Sequence, residues 1–351
     1  MKNFPPLTTA IRSRAPLRLG LAGGGTDVAP YCDDFGGAVL NATVDRYAFA
    51  FIAPSPDGHV HFIASDLGTR ERHAPELDAV GSADLILHGA VCRRMTRDYG
   101  LGQVPAVTVR TLVDAPPGSG LGSSSALVVA LVEAYRNLLN VPLGPYELAR
   151  IAYEIERIDL GLSGGKQDHY AAAFGGMNYI EFMADDRVIV NPLRIARDIL
   201  NELETSLVLC FTGVSRRSEE IIDQQRAGMR QKTARTLDNL HQLKADALEM
   251  KQALLRSDIP RMAAVLDHSW TAKKQTASGI STGKIDELHA VAIGAGALAG
   301  KVSGAGGGGF MMFMVPPEKR LDVLKSLRAA GGEAEGIKLT ATGAESWRAP
   351  H

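Results

Sequence analysis

The amino-acid sequence predicts an α+β protein of two domains, and two observations carry that expectation. At 351 residues, with 45% apolar and 22% charged side chains, the chain is long enough to bury two cores. Short alternating apolar segments dominate before residue 115, whereas long helical periodicities and then a compact α/β stretch fill the region beyond residue 195. The expected division is therefore 1–195 and 196–351.

From the N-terminus, Arg14 to Ala22 reads as an apolar strand ended by the turn Gly23-Gly24-Gly25-Thr26-Asp27, which brings backbone close to another group. Alternation over Tyr47 to Ala53 and His59 to Ala64 predicts paired strands, followed by a helix over Ala83 to Tyr99 and a strand over Ala106 to Leu112. Helices are predicted for Ser124 to Leu139 and Pro145 to Asp159, and a glycine-punctuated turn at Gly161 to Gly165 leads into Lys166 to Phe174. Met177 to Phe182 and Val188 to Leu193 alternate like a hairpin.

In the second half, Ser206 to Phe211 reads as a strand, and helical patterns fill Ser218 to Leu255 and Ile259 to Lys274. A helix over Lys284 to Leu298, a second glycine-rich turn over Lys301 to Gly309 and a strand over Phe310 to Val315 follow. A helix over Glu318 to Ala330 and a last strand over Ala334 to Leu339 complete the reading.

Bulk properties exclude several classes of function. Thirty-eight basic residues against 39 acidic ones leave no excess charge for a polyanion, so nucleic acid is not an expected partner. The sequence shows neither a charged segment followed by an apolar leader nor 18 uninterrupted apolar residues, which points to the cytoplasm and to no membrane partner. Cys32, Cys92 and Cys210 are too few and too far apart for a disulfide framework or a thiolate metal site, and read as buried core thiols. His59-x-His61 faces one side of a strand and reads as surface polarity rather than a zinc pair. The sequence leaves a homo-oligomer open.

The most informative stretch is Ala115-Pro-Pro-Gly-Ser-Gly-Leu-Gly-Ser-Ser-Ser-Ala126. Gly118, Gly120 and Gly122 let backbone N–H groups converge on an anion, and the helix starting near Ser123 adds the positive end of its dipole. Ser123, Ser124 and Ser125 place hydroxyls where a nucleotide phosphate or its magnesium would sit; an ordinary glycine-rich loop with a serine cap is the alternative. Two commoner nucleotide signatures fail. No lysine follows these glycines, and Gly300-Lys301 is followed by Val302 where a Walker A loop has a hydroxyl. Gly304, Gly306 and Gly309 match the dinucleotide spacing but run into a strand-like segment rather than a helix.

Three such turns in one chain, at 23–25, 118–122 and 304–309, each cost folding entropy without adding packing. Their order is Ala15-Pro-Leu-Arg-Leu-Gly-Leu-Ala-Gly-Gly-Gly-Thr-Asp27, then Pro116 to Ala126, then Lys301-Val-Ser-Gly-Ala-Gly-Gly-Gly-Gly-Phe310. This order resembles the three motifs of the GHMP small-molecule kinases, named after galacto-, homoserine, mevalonate and phosphomevalonate kinases, over nearly the whole chain. Within that family, the extended first motif and Gly164-Gly-Lys-Gln-Asp-His-Tyr170 are most similar to the bacterial heptose 7-phosphate kinases of surface-sugar synthesis.

The resemblance implies a ribosomal-protein-S5-like N-terminal domain and a ferredoxin-like C-terminal domain, with ATP, Mg and a sugar phosphate meeting between them. It implies phosphorylation of the anomeric hydroxyl of D-glycero-D-manno-heptose 7-phosphate; L-fucose kinase or another sugar-1-kinase is the alternative, and a non-catalytic sensor a second one. ATP phosphates are expected on Pro117, Gly118, Ser119, Gly120, Leu121, Gly122, Ser123, Ser124 and Ser125. Asp168 matches the family's catalytic aspartate and Arg18 the arginine beside it; a helix cap and a solvated strand charge are the other roles such residues take. Ser124 and Glu156 match magnesium ligands, although Glu156 could lie on a solvated face with Glu154, Arg150 and Arg157. The sugar is expected on Gly24, Gly25, Thr26, Asp27, Gly306, Gly307 and Asp168, with Lys166, Arg216 and Arg217 as candidate partners for its phosphate. His169 is placed to orient Asp168, or only to pack.

Overall fold

The computed structural model describes residues 9–81, 84–100, 102–215, 218–231 and 234–349. Strands β1 (Ala10–Ala22), β2 (Gly37–Pro54), β3 (Val60–Ala64), β4 (Thr69–His73), β5 (Val107–Val113), β6 (Met177–Phe182) and β7 (Val188–Pro192) build one sheet. Strands β8 (Leu207–Phe211), β9 (Ala299–Val302), β10 (Phe310–Met314) and β11 (Glu333–Gly336) build a second, in the order β11-β8-β10-β9. A last strand, β12 (Glu345–Ala349), returns to the first sheet, whose order is β12-β1-β2-β5-β3-β4, with β6 on the other half of β2 and β7 beyond it.

The first half of β1 alternates between covered and open residues, but Leu17 to Ala22 are buried at every position, so both faces of the sheet are covered there. The helices over Ser123–Leu139, Gln167–Phe174, Ala234–Leu255 and Ile259–Lys274 pack on β1. In chain order the helices are α1 (Tyr31–Phe35), α2 (Ile86–Tyr99), α3 (Ser123–Leu139), α4 (Pro145–Tyr153), α5 (Gln167–Phe174), α6 (Arg197–Ser206), α7 (Ser218–Arg230), α8 (Ala234–Leu255), α9 (Ile259–Lys274), α10 (Gly283–Gly294) and α11 (Arg320–Ala329). Helix α3 buries Val128, Val129, Leu131 and Val132 completely, each worth about 1.5–3 kcal/mol of transfer free energy, which is why a helix apolar all round forms here. In β10, Phe310, Met312 and Met314 face the main core while Met311 and Phe313 face a second one, so this strand divides the two cores.

Several elements differ from the sequence reading. β2 and β3 are not paired; β5 lies between them, parallel to β3, because its buried Val107 and Val109 take the central position. The helical run at 218–255 is two helices, and the run from Pro145 continues past Tyr153 as a π-helical turn, Glu154–Asp159. The helix expected to reach Leu298 stops at Gly294, freeing β9 to pair with β10. All three cysteines are buried and unpaired.

Candidate active site

The second and third glycine-rich turns meet, and the first borders the same cleft. A Cβ on Gly304 would lie 2.7 Å from the Gly120 Cα, one on Gly120 would lie 2.3 Å from the Ser303 carbonyl, and one on Gly309 would lie 2.3 Å from the Ser119 carbonyl. The loops therefore stack backbone on backbone, which only glycine permits. Phe310 N–H donates to the Ser119 carbonyl at 2.8 Å, and Arg18 N–H to the Leu121 carbonyl at 3.0 Å, fastening the second loop to β10 and β1. Together the turns border a cleft of about 510 Å³.

Gly118, Gly120 and Gly122 have φ of 71°, 80° and 74°, and alternate with ordinary residues so that the loop curls around the cleft. Gly122 caps α3, and no side chain bonds the first-turn N–H groups, which leaves them for an anion. Gly118, Gly120, Gly122, Ser123, Ser124 and Ser125 line the cleft.

Against the loop, Arg18 on β1 is 4% exposed and forks onto Asp168 at the start of α5: Nε and the second guanidinium nitrogen reach Oδ1 at 2.7 and 2.6 Å. A third nitrogen donates to the Gly120 carbonyl at 2.6 Å, so the arginine is locked between the aspartate and the loop. No described residue bonds Asp168 Oδ2, and a Cβ on Gly122 would sit 3.2 Å from it.

Glu156, on the π-helical turn, is 1% exposed. Its Oε1 accepts from the Ser124 hydroxyl at 2.6 Å; its Oε2 accepts from the Ser125 hydroxyl at 2.7 Å and faces His169 Nε2 at 2.6 Å. Burial pushes the carboxyl up, but the Arg157 charge, the His169 contact and the Ser124 hydrogen bond outweigh it and hold the group down at about 2. His169 thus orients Glu156, not Asp168. Glu154, by contrast, belongs to the partly solvated network with Arg94 and Arg150.

Asp27 is 1% exposed and accepts from Gly25 N–H, Gln167 N–H and the Gln167 side-chain amide, each at 3.1 Å. Burial, and then the charge of Asp168, raise its pKa. Gln167 lines the cleft, and its Oε1 is buried with no partner among the described residues.

Two lysines that the sequence reading missed also line the cleft. Lys273, at the end of α9, is 4% exposed and donates to the Gly304 carbonyl at 2.5 Å; Lys301, on β9, is 3% exposed and donates to the Gly20 and Leu21 carbonyls at 2.8 and 3.3 Å. Lys273 falls in phase with buried Met262, Leu266 and Trp270, the pattern that would have revealed it.

Other expected residues sit elsewhere. Lys166 points to the far side of the glycine turn, its ammonium 2.5 Å from Asp186 and over the Tyr153 ring, so it does not reach the cleft. Thr26 is buried and bonds the Gly23 and Ala38 carbonyls, which makes it the brace of the first turn. Gly306 and Gly307 pack on Ile280, while Gly304 and Ala305 line the cleft in their place. Pro117, Ser119 and Leu121 lie behind the loop, their carbonyls taken by Ser215, Phe310 and Arg18. Arg216 and Arg217 lie outside the described residues. His59 and His61 hold Asp57, and no cluster of metal-ligating side chains occurs among the described residues.

The family models for the GHMP kinases match this chain at residues 85–176 for the N-terminal domain and 250–333 for the C-terminal domain. The chain belongs to the GHMP kinases, and is an ATP-dependent phosphotransferase with their two-part α+β fold. It is 41% identical over 96% of its length to the D-glycero-alpha-D-manno-heptose 7-phosphate kinase of Campylobacter jejuni, covering 99% of that protein. The crystal structure of a D-glycero-D-manno-heptose 1-phosphate kinase from Bacteroides thetaiotaomicron superposes with a TM-score of 0.80 at 41% identity, covering 96% of this chain and 98% of that one. The L-fucokinase/L-fucose-1-P guanylyltransferase of Bacteroides fragilis is 25% identical over 93% of this chain, which spans 37% of that protein. No helix among the described residues is long and apolar enough to cross a membrane.

Proposed function

We propose that this chain transfers the γ-phosphoryl group of ATP to the anomeric hydroxyl of D-glycero-D-manno-heptose 7-phosphate, giving the 1,7-bisphosphate for GDP-heptose and bacterial surface polysaccharide synthesis in the cytoplasm. The observation that carries it is the Arg18–Asp168 pair seated against the Gly118–Gly122 loop in one cleft, in a chain 41% identical to a heptose 7-phosphate kinase. Identity to the fucokinase is lower, at 25%, and favours heptose over fucose.

In this reading the loop amides and the first turn of α3 hold the ATP phosphates, and Leu85, Leu87 and Leu127 give the base an apolar wall. Asp168 accepts the proton of the acceptor hydroxyl on Oδ2 while Arg18 fixes Oδ1 and stabilises charge developing on the transferred group. Asp27, Gln167 and the Gly24-Gly25 backbone hold sugar hydroxyls. Ser124 Oγ and Glu156 Oε1, two hard oxygens 2.6 Å apart with one full negative charge, fit a magnesium ion that takes its remaining ligands from phosphates and water. That ion would neutralise phosphate charge in the transition state.

An ADP-release assay across heptose 7-phosphate, unphosphorylated heptose, mannose, fucose, galactose and mevalonate tests the reading, with phosphorus NMR locating the new ester. Heptose 7-phosphate should lead by about 10²-fold or more in kcat/KM. Equal efficiency on mannose, or a product lacking an anomeric phosphate, would overturn it.

A further inference from the structure

Three buried cations surround the turn at Gly23–Gly25, and they are not equally satisfied. Arg18 is taken up by Asp168 and the Gly120 carbonyl, and Lys301 by two carbonyls. Lys273 has one acceptor, the Gly304 carbonyl, for three N–H donors, and no carboxylate of the described residues lies within ion-pair distance. An ammonium withheld from water in this way is costly unless an anion completes it.

Gly24 supplies the second, independent observation. Gly23 and Gly25 have φ of 80° and 106°, so their backbone demands glycine, whereas Gly24 lies outside the left-handed region. A Cβ on Gly24 would stand 3.5 Å from Gln167 Nε2 and 3.7 Å from Lys273 Nζ, ordinary contact distances, so packing does not demand glycine either. Its bare Cα puts no side chain over those two donors.

We propose that Lys273, which no side chain at Gly24 covers and which the Gln167 amide flanks, is a phosphate-oxygen subsite on the acceptor side of the cleft. The proposal deepens the sugar phosphate kinase reading and rests on it for the identity of the ligand. The oxygen belongs either to the substrate's own phosphate or to the phosphoryl group in transfer. Burial, and then the positive charge of Arg18, lower the Lys273 ammonium to about 8, so it remains largely charged at neutral pH, and a bound phosphate would raise it again.

The experiment compares the full chain with Lys273→Met and Gly24→Ala. With the nucleotide loop saturated by ADP, inorganic phosphate at matched ionic strength should raise the melting temperature of the parent, and neither variant should respond. Lys273→Met removes a buried charge without shrinking the side chain, and Gly24→Ala keeps every charge and only covers the donors, so the two cannot fail for the same structural reason. In turnover of Lys273→Met, a rise of about 10²-fold in KM for the phosphosugar that exceeds any change for the unphosphorylated sugar assigns the subsite to the substrate's phosphate. An equal fall in kcat with both acceptors, KM unchanged, assigns it to the transferred group. A phosphate-induced shift in Lys273→Met as large as the parent's overturns the proposal. Because that arm needs no sugar, a parent that phosphorylates none of them defeats the functional reading while the subsite still stands or falls on the phosphate shift.

Discussion

Arg18 spends two nitrogens on a single oxygen of Asp168: Nε and one terminal nitrogen both reach Oδ1, at 2.7 and 2.6 Å, and Oδ2 is left toward the cleft. A carboxylate held this way is oriented through one oxygen and presents the other to the cleft. The third guanidinium contact, to the Gly120 carbonyl, ties that orientation to the phosphate loop, so base and loop move together.

Asp168→Asn should therefore lower kcat by about 10²-fold or more while leaving ATP affinity within a few-fold, because a lost base acts on the transition state and not on the loop. Steady-state kinetics and calorimetric ATP titration check it. Near-normal turnover would remove Asp168 from the chemistry.

Gly120→Val distinguishes a loop built for phosphate alone from one built on its neighbour. Its Cβ would press into the Ser303 carbonyl at 2.3 Å, and φ of 80° is strained for any side chain. Both the melting temperature and ATP binding should fall, the former because the second and third glycine turns can no longer stack. Unchanged nucleotide affinity in a folded variant would show that residues 118–122 do not hold phosphate.

Glu156→Gln should raise the magnesium concentration needed for half-maximal ADP release by about 10-fold or more, since a neutral amide is a far weaker ligand than a carboxylate. Ser124→Ala should move the same titration in the same direction with a smaller loss of stability, because Ser124 is only one of four groups meeting Glu156, with Ser125, His169 and Arg157. An unchanged magnesium profile in both variants would place the metal elsewhere.

What was legible in the sequence is what neighbours along the chain could report. Arg18, Asp27, Ser124, Glu156 and Asp168 stand at fixed places around glycine turns, and all five line the cleft. Lys166 misled for the same reason: two positions before Asp168, it starts α5 on the opposite side and meets Asp186. The run of glycines at 306–309 gave no sign that Gly304, not Gly306, would face Gly120, because that choice is made by a loop far away in sequence. Strand β12 pairs with β1 across the length of the chain, and β5 displaces β3 from β2; neither has a local signal. Lys273 beside Lys274 at a helix C-terminus looks like a pair of solvated cations favoured by the helix dipole, and only its phase with Trp270 and Leu266 betrays its burial.

The stability of Lys273 gives the last test, and its sign follows from linkage. Burial lowers this ammonium from 10.5 to about 8 in the folded chain, so between those values the unfolded chain binds more protons and folding becomes more favourable as pH rises; below about 8 the full penalty is present. Arg18 pushes it down, Asp27 and Asp168 pull it up, and Lys301, depressed by burial and then by the Lys273 charge, contributes with the same sign. Without ligand, Lys273→Met should therefore melt above the parent at pH 7, by an amount on the order of 3 kcal/mol or less, and that advantage should shrink as pH approaches 10.5. Denaturant unfolding of both proteins from pH 7 to 10.5 measures it. A variant less stable than the parent at pH 7 would mean that the bond from Lys273 to the Gly304 carbonyl outweighs the cost of burying the charge, and that the ammonium is there to hold the turn.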